Sequence, residues 1–227
     1  MKKIVVLTGA GMSAESGIST FRDSNGLWEN HDIMEVASPE GWYKNPELVL
    51  NFYNKRRAQL KEVVPNRGHH ILAELEQNFE VHIITQNVDD LHERAGSSKI
   101  IHLHGELTKV RGEHSENEKI HWTEDIRLGD LNAKDEQLRP AIVWFGEAVP
   151  EIDRALPLVE QADILVVIGT SMQVYPAAGL VHYTQPHIPV FYIDPKPATI
   201  FDLANPLETF ALSATEGMEK LRNLLLG

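Results

Sequence analysis

Residues 4–23 read IVVLTGAGMSAESGISTFRD. The apolar run Ile4 to Leu7 predicts a buried strand, and Gly9, Gly11 and Ala14 follow it with the G-x-G-x-x-[G/A] spacing of a strand-to-helix turn. Small residues at such a turn let backbone N–H groups at a helix N-terminus approach a pyrophosphate. That spacing alone is weakly specific. An ordinary dinucleotide-binding unit continues with a helix and a second apolar strand ending in an acidic residue about 20 positions on. Here the chain runs GISTFRDSNGLWENHD from Gly17 to Asp32, with no apolar strand. The stretch predicts a long loop folded over a nucleotide, in which Arg22 binds phosphate or ribose oxygens through its fork of donors. The alternative is a surface turn with Arg22 paired to Asp23.

Working outward, 227 residues suffice for one or two domains at about 150 residues each. The formal net charge of −12 repels nucleic acid and anionic lipid, so neither is expected as a general partner. A basic peptide suits such a surface. Cysteine is absent, which excludes disulfides, thiolate nucleophiles and cysteine-based zinc or iron–sulfur sites. Ile4 to Leu7 is too short for a signal-peptide core and Gly9 ends it, and no run approaches the roughly 20 apolar residues of a membrane span. A cytoplasmic protein is the expectation.

Apolar runs at Val81 to Ile84, Ile100 to Leu103, Ala141 to Phe145, Ile164 to Ile168 and Val190 to Ile193 alternate with helix-like segments, the βαβ rhythm of a parallel sheet. Helices are expected near 46–62, 67–77, 152–161, 175–183 and 214–225. The fold class is therefore α/β, with helices on both sheet faces. Two stretches break the rhythm. Residues 31–65 read as a mostly helical insertion, with Pro46 starting the helix PELVLNFYNKRRAQL and Pro65 closing it. Residues 111–139 are polar with short β-like pieces and read as a small inserted module. The expected division places 1–30, 66–110 and 140–227 in a large domain, with 31–65 and 111–139 together making a small one.

Two clusters carry chemistry. Thr85-Gln86-Asn87-Val88-Asp89-Asp90-Leu91-His92 follows a strand and so lies at its carboxyl end, where open α/β sheets bind ligands. Asn87 can position a ribose hydroxyl or a water and Asp89 can bind an amide; equally, either can cap a helix. Ile101-His102-Leu103-His104-Gly105-Glu106 comes next, and strand alternation puts His102 and His104 on one face. Imidazole titrates near neutrality, which suits general-base work. A packed, hydrogen-bonded histidine or an H-x-H metal pair are the other readings of this segment, and no further ligand motif supports the metal.

GAGMSAESGISTFRD, TQNVDDLH and LHGE, in this order and separated by a helical insertion, closely resemble the sirtuin family of NAD-dependent protein deacylases. The resemblance continues through Val143-Trp144-Phe145-Gly146-Glu147, Gly169-Thr170-Ser171 and Val174-Tyr175-Pro176-Ala177, and so spans nearly the whole chain. It implies a Rossmann-like NAD domain with a smaller helical and ribbon-like portion. On the family's positions, Gly9, Ala10, Gly11, Ala14, Phe21, Arg22 and Trp28 fall among cofactor contacts of the first motif. Gln86, Asn87 and Asp89 fall around the nicotinamide and its ribose, with Asn87 and Asp89 also counted as catalytic. Gly169, Thr170 and Ser171 fall on the adenosine side, and His104 on the catalytic base. The implied reaction joins the acyl-lysine carbonyl oxygen to C1′ of the ribose as nicotinamide leaves, and ends in free lysine and an O-acyl-ADP-ribose. Val143, Phe145, Gly146 and Glu147 match the segment on which the acylated peptide lies, although a plain core strand is also compatible with that run.

Within the helical insertion, Tyr53 and Arg56 stand at i, i+3 on one helix face. The Y-x-x-R pair resembles the signature of the sirtuin class that removes succinyl and malonyl groups, and Ala37 matches the small residue that widens its acyl pocket. A terminal acyl carboxylate needs a cation, which Arg56 supplies. Without the resemblance, Lys55-Arg56-Arg57 reads as a solvated basic stripe with Tyr53 as core.

The chain departs from the family in lacking the ribbon's two cysteine pairs, so no zinc is expected. Ile120, Trp122, Ile126, Leu128 and Leu131 are expected to form an apolar cluster in its place. The alternative is an unorthodox metal site built from His114, His121 and nearby carboxylates. Asp194 stands where relatives carry Asn toward the adenosine ribose. It either accepts from the ribose hydroxyls or shapes the turn before Pro195. The expected function is NAD-dependent removal of succinyl, malonyl and more weakly acetyl groups from protein lysines. The rival readings are an ADP-ribosyltransferase or NAD hydrolase, and a non-catalytic NAD-sensing module.

Overall fold

A computed structural model describes residues 1–19, 27–28 and 31–227, Leu27 and Trp28 through their backbone. The chain opens with β1 (Lys3–Thr8), the short strands β2 (Leu27–Trp28) and β3 (His31–Asp32), and the helices α1 (Ile33–Val36), α2 (Pro39–Lys44), α3 (Pro46–Leu60) and α4 (Arg67–Leu75). Next come β4 (Glu80–Thr85), α5 (Leu91–Ala95), β5 (Ile100–His102), β6 (Gly105–Gly112), β7 (Ile120–His121), β8 (Leu138–Ile142) and α6 (Ile152–Glu160). The chain ends with β9 (Ile164–Ile168), a 3₁₀ helix (Ala177–Tyr183), β10 (Val190–Ile193), β11 (Leu207–Phe210) and α7 (Ala214–Leu226).

Six parallel strands form the main sheet in the order β11-β10-β9-β1-β4-β5. β1 is buried on both faces, as its unbroken apolar sequence requires. Ile4 and Val6 pack toward α4 and α7 with Ile71, Leu75 and Leu221, while Val5 and Leu7 pack oppositely with Ala155 and Val159 of α6. The register sets Thr8 level with Thr85 of β4 and with Ile168 of β9. The loops after these three strands therefore leave the sheet side by side, where the connections part to either side of β1.

The apolar run Ala141 to Phe145 does not join this sheet. β8 covers only its start and pairs antiparallel with β6 in the three-stranded sheet β7-β6-β8. Continuous hydrophobicity marks burial rather than strand direction, and here the burial is against the helical insertion. Leu107, Val110, Leu138, Ile142 and Trp144 share one core cluster with Val36, Trp42, Val49, Phe52 and Tyr53. α3 begins as its sequence predicts, with Asn45 Oδ1 accepting from the Leu48 N–H and Pro46 at the first position. It ends at Leu60, earlier than Pro65 alone implies.

Two further expectations change. Gly9 and Gly11 do not open a long helix; two short 3₁₀ turns follow, Ala10–Met12 and Ala14–Ser16. Of the five residues expected to form an apolar cluster in the 111–139 module only Ile126 is fully buried, with Trp122 packed beside the core, while Ile120, Leu128 and Leu131 are 45%, 53% and 50% exposed. One buried isoleucine contributes about 1.5–3 kcal/mol, far below the roughly 10–16 kcal/mol of a structural zinc. Side-chain amides supply much of the remaining order. Asn54 brackets Ile126, donating to its carbonyl and accepting from its N–H, both at 2.9 Å. Gln137 donates to the Arg127 and Leu138 carbonyls. Asn132 Oδ1 accepts from the Lys134 and Glu136 N–H groups.

Candidate functional site

The floor of the site is made by two interlocked loops at the carboxyl ends of β1 and β9. Gly9 donates to the Ile168 carbonyl at 3.0 Å and Gly11 to the Gly169 carbonyl at 2.8 Å. A Cβ on Gly11 would stand 2.6 Å from Gly169 Cα, and one on Gly169, at φ +61°, would stand 2.3 Å from Met12 N. Only glycine permits that approach. Two N–H groups that the spacing offers to a phosphate are thus spent on holding the loops together.

The loop after β4 rises beside them. Asn87 Nδ2 donates to Ser13 Oγ at 3.1 Å, and Ser13 Oγ donates to Asp89 Oδ2 at 2.9 Å. Asp89 Oδ1 accepts from the Leu91 N–H, so the carboxylate also shapes the start of α5. Burial pushes the Asp89 carboxyl above its ordinary range, against the hydrogen bonds from Leu91 and Ser13. Gln86 Nε2 donates to Thr170 Oγ1 at 3.2 Å, tying this loop to the one after β9. Ser13 went unnamed at the sequence level although it lies inside the quoted motif; its role is visible only once three loops meet.

His102 ends β5 and His104 lies in the turn before β6. His104 Nδ1 stands 3.1 Å from the Gln86 carbonyl. A carbonyl only accepts, so Nδ1 carries the proton and Nε2 the basic lone pair. Burial lowers the His104 pKa, partly offset by that bond, which favours the neutral, basic form. His102 Nδ1 meets the neighbouring Asn87 carbonyl at 3.0 Å. The two histidines thus hold successive carbonyls and do not form a chelating pair. Among the described residues, Glu93, His102 and Glu106 are the group with metal-like spacing, but His102 faces Glu93 and Lys109 Nζ faces Glu106, so they form an ion-pair network.

The third wall comes from the segment that follows β8 and from the helical insertion packed against it. Val143 donates to the His104 carbonyl and Phe145 to the Ala37 carbonyl, both at 2.9 Å. Residues 143–147 leave β8 as a turn, with Trp144 buried, Phe145 exposed and Gly146 at φ +92°. Glu147 turns inward, accepting from Arg139, Arg111 and the Trp144 N–H. Tyr53 is completely buried and its hydroxyl accepts from Trp144 Nε1 at 3.0 Å; burial pushes its pKa up, so it stays protonated. Arg56, one turn on, is half-buried with its guanidinium 5.2 Å from the centre of the Phe52 ring. The basic run is not a solvated stripe, because Arg57 is buried and donates to the Leu107 carbonyl and Asn54 Oδ1.

Of the remaining expected residues, Ala10 and Ser171 are half-buried and Ala14 is exposed. Asp194 Oδ1 accepts from the Lys196 N–H, the turn-shaping geometry. Trp28 is described only through its backbone in β2, and Phe21 and Arg22 lie outside the described residues. No described helix is long and apolar enough to cross a membrane.

A strand-end glycine cradle, a polar loop and a basic histidine at a switch point define a nucleotide-dependent α/β enzyme class. The chain belongs to the Sir2 family, whose pattern matches residues 9–176. It is 58% identical to an NAD-dependent protein deacylase of Helicobacter pylori, over 100% of this chain and 98% of the relative. It is 56% identical to one of Bacteroides thetaiotaomicron, over 100% and 99%. Among solved structures, a Sir2 homologue in complex with NAD superposes with a TM-score of 0.88 at 40% identity, over 99% of this chain and 90% of the other.

Proposed function

We propose that the protein is an NAD-dependent lysine deacylase that prefers acyl groups ending in a carboxylate, succinyl and malonyl above acetyl. The observation that carries this reading is His104, its Nδ1 committed to the Gln86 carbonyl and its Nε2 thereby left with the basic lone pair. The names of the relatives and the NAD complex of a structural neighbour support the cofactor. Another neighbour, described as a Sir2–p53 peptide–NAD complex, supports a peptide substrate.

The close packing of Gly9 and Gly11 against Gly169 holds the loops after β1 and β9 together at the carboxyl ends of the strands, the place where open α/β sheets take a nucleotide, and this supports the cofactor. NAD supplies a ribose carbon that becomes electrophilic as its bond to nicotinamide breaks. Asn87, held by Ser13, orients a ribose hydroxyl, and His104 Nε2 takes that hydroxyl's proton so its oxygen can reach the acyl carbon. A positioned base is worth roughly 10² to 10⁴ in rate. Thr170, Ser171 and Asp194 belong to the adenosine side, and Phe21, Arg22 and Trp28 complete the cofactor contacts. Val143 to Glu147 carry the peptide, which adds main-chain bonds at little cost in sequence demand. Ala37 and Tyr53, both buried around Trp144, line the acyl pocket, and Arg56 reads the acyl carboxylate. In this reading the segments 1–30, 66–110 and 140–227 carry the cofactor, and 31–65 with 111–139 form the small domain.

Incubation with NAD and matched acetyl-, succinyl- and malonyl-lysine peptides, with product masses followed, tests the reading. Free lysine peptide, nicotinamide and O-acyl-ADP-ribose in equal amounts are expected, fastest for the acidic acyl groups. Nicotinamide release that ignores the acyl peptide identifies an NAD hydrolase or ADP-ribosyltransferase instead.

A further inference from the structure

Two histidines two residues apart hold successive carbonyls, yet their surroundings differ. His104 has one ring nitrogen committed to an acceptor. His102 has both committed, Nδ1 to the Asn87 carbonyl at 3.0 Å and Nε2 to Glu93 Oε1 at 2.7 Å. A backbone carbonyl has no proton to give. Burial pushes the Glu93 carboxyl up, but its bond to His102, the charge of that ring, a backbone bond and the charge of Lys109 together hold it below its ordinary range, so it also accepts. Both contacts are made together only if the ring carries two protons.

We propose that His102 is a positioning residue, whose imidazolium clamps the Asn87 carbonyl to Glu93 and thereby holds the Asn87–Asp89 loop against His104. The inference rests on the deacylase reading for its kinetic consequence, but not for the protonation state of the ring. Burial opposes the charge, and the hydrogen bond and charge of Glu93 outweigh it, leaving His102 above the ordinary histidine pKa. The titratable groups around the ring are Glu93 and the neutral His92 from α5, Glu106 and Lys109 from β6, and Asp89 from the loop after β4. When the ring loses a proton, the one facing the Glu93 anion is retained and the one on Nδ1 departs. The Asn87 carbonyl is then released.

Nitrogen-resolved NMR of the histidine rings at pH 7, assigned with His102→Ala, reads the ring directly. The intact protein is expected to show His102 doubly protonated. In Glu93→Gln the amide can donate to Nε2, so a neutral ring bearing its proton on Nδ1 is expected. For deacylation, kcat/KM for NAD in the intact protein should fall on the alkaline side as His102 deprotonates. In His102→Ala that fall should vanish, at a level lowered about tenfold or more, the scale of a lost charged hydrogen bond. A neutral His102 in the intact protein overturns the proposal. So does a His102→Ala profile that keeps the intact protein's shape, at whatever height. If no deacylation occurs at all, the functional reading fails, and the NMR result still decides the state of the ring.

Discussion

At the residue scale, the account turns on which atoms of His104 are already used. Tying Nδ1 to the Gln86 carbonyl fixes the tautomer, and burial keeps the ring neutral. His104→Ala should cut deacylation by about 10² to 10⁴ while NAD still binds, read by single-turnover kinetics beside calorimetry. Because burial lowers the His104 pKa, activity should decline on acidification only below the ordinary histidine value of about 6.5. His104 was legible as a candidate from the residue type and the motif. What the sequence left open was whether His102 shared its role, because alternation puts both on one face and says nothing of which acceptors lie opposite. The loop after β4 gives each ring one carbonyl, and Glu93 of α5 gives His102 alone a second acceptor, which in the proposed reading sets the charges of the two rings apart.

At the scale of elements, the long parallel strands were readable because each is apolar along its length, and Pro46 placed the start of α3 correctly. The antiparallel β6–β8 pairing was not readable, since an apolar run records burial and not direction. Gly9 and Gly11 were recognised, but their partner Gly169 lies 158 residues beyond Gly11, so the interlock is a property of the fold. Gly169→Ala should destabilise the protein by at least about 2 kcal/mol in denaturant unfolding and weaken NAD binding, because its Cβ meets Met12 backbone. The apolar cluster expected in 111–139 is largely replaced by amide bonding centred on Asn54. Asn54→Ala should therefore cost about 1–3 kcal/mol, through the buried Ile126 groups it leaves unpaired. Chelator should leave the melting temperature unchanged; a fall on chelation would reveal a metal in the module.

For the whole molecule, two buried histidines link folding to pH. His69 accepts the Asn66 N–H at Nδ1, and burial lowers its pKa to about 4. His92 is completely buried and held well below 6.5, with Nε2 3.1 Å from Thr8 Oγ1. Both rings stay neutral when folded and protonate more readily when unfolded. The stability they contribute is full above about pH 6.5 and lost as pH falls from there toward 4, by roughly 3 kcal/mol for His69 alone. Denaturant unfolding at pH 7 and pH 5 checks this, and His69→Gln should flatten the difference.

Val143 bonds the His104 carbonyl and the next residue, Trp144, reaches Tyr53 of α3, so in the proposed reading base and acyl pocket share one wall. The most direct measurement of that arrangement is the ratio of kcat/KM for a succinyl-lysine peptide to that for its acetyl counterpart, in the intact protein and in Arg56→Met. A ratio that collapses by about 10- to 150-fold, with acetyl turnover largely retained, is the predicted result. Equal losses for both peptides would contradict the account.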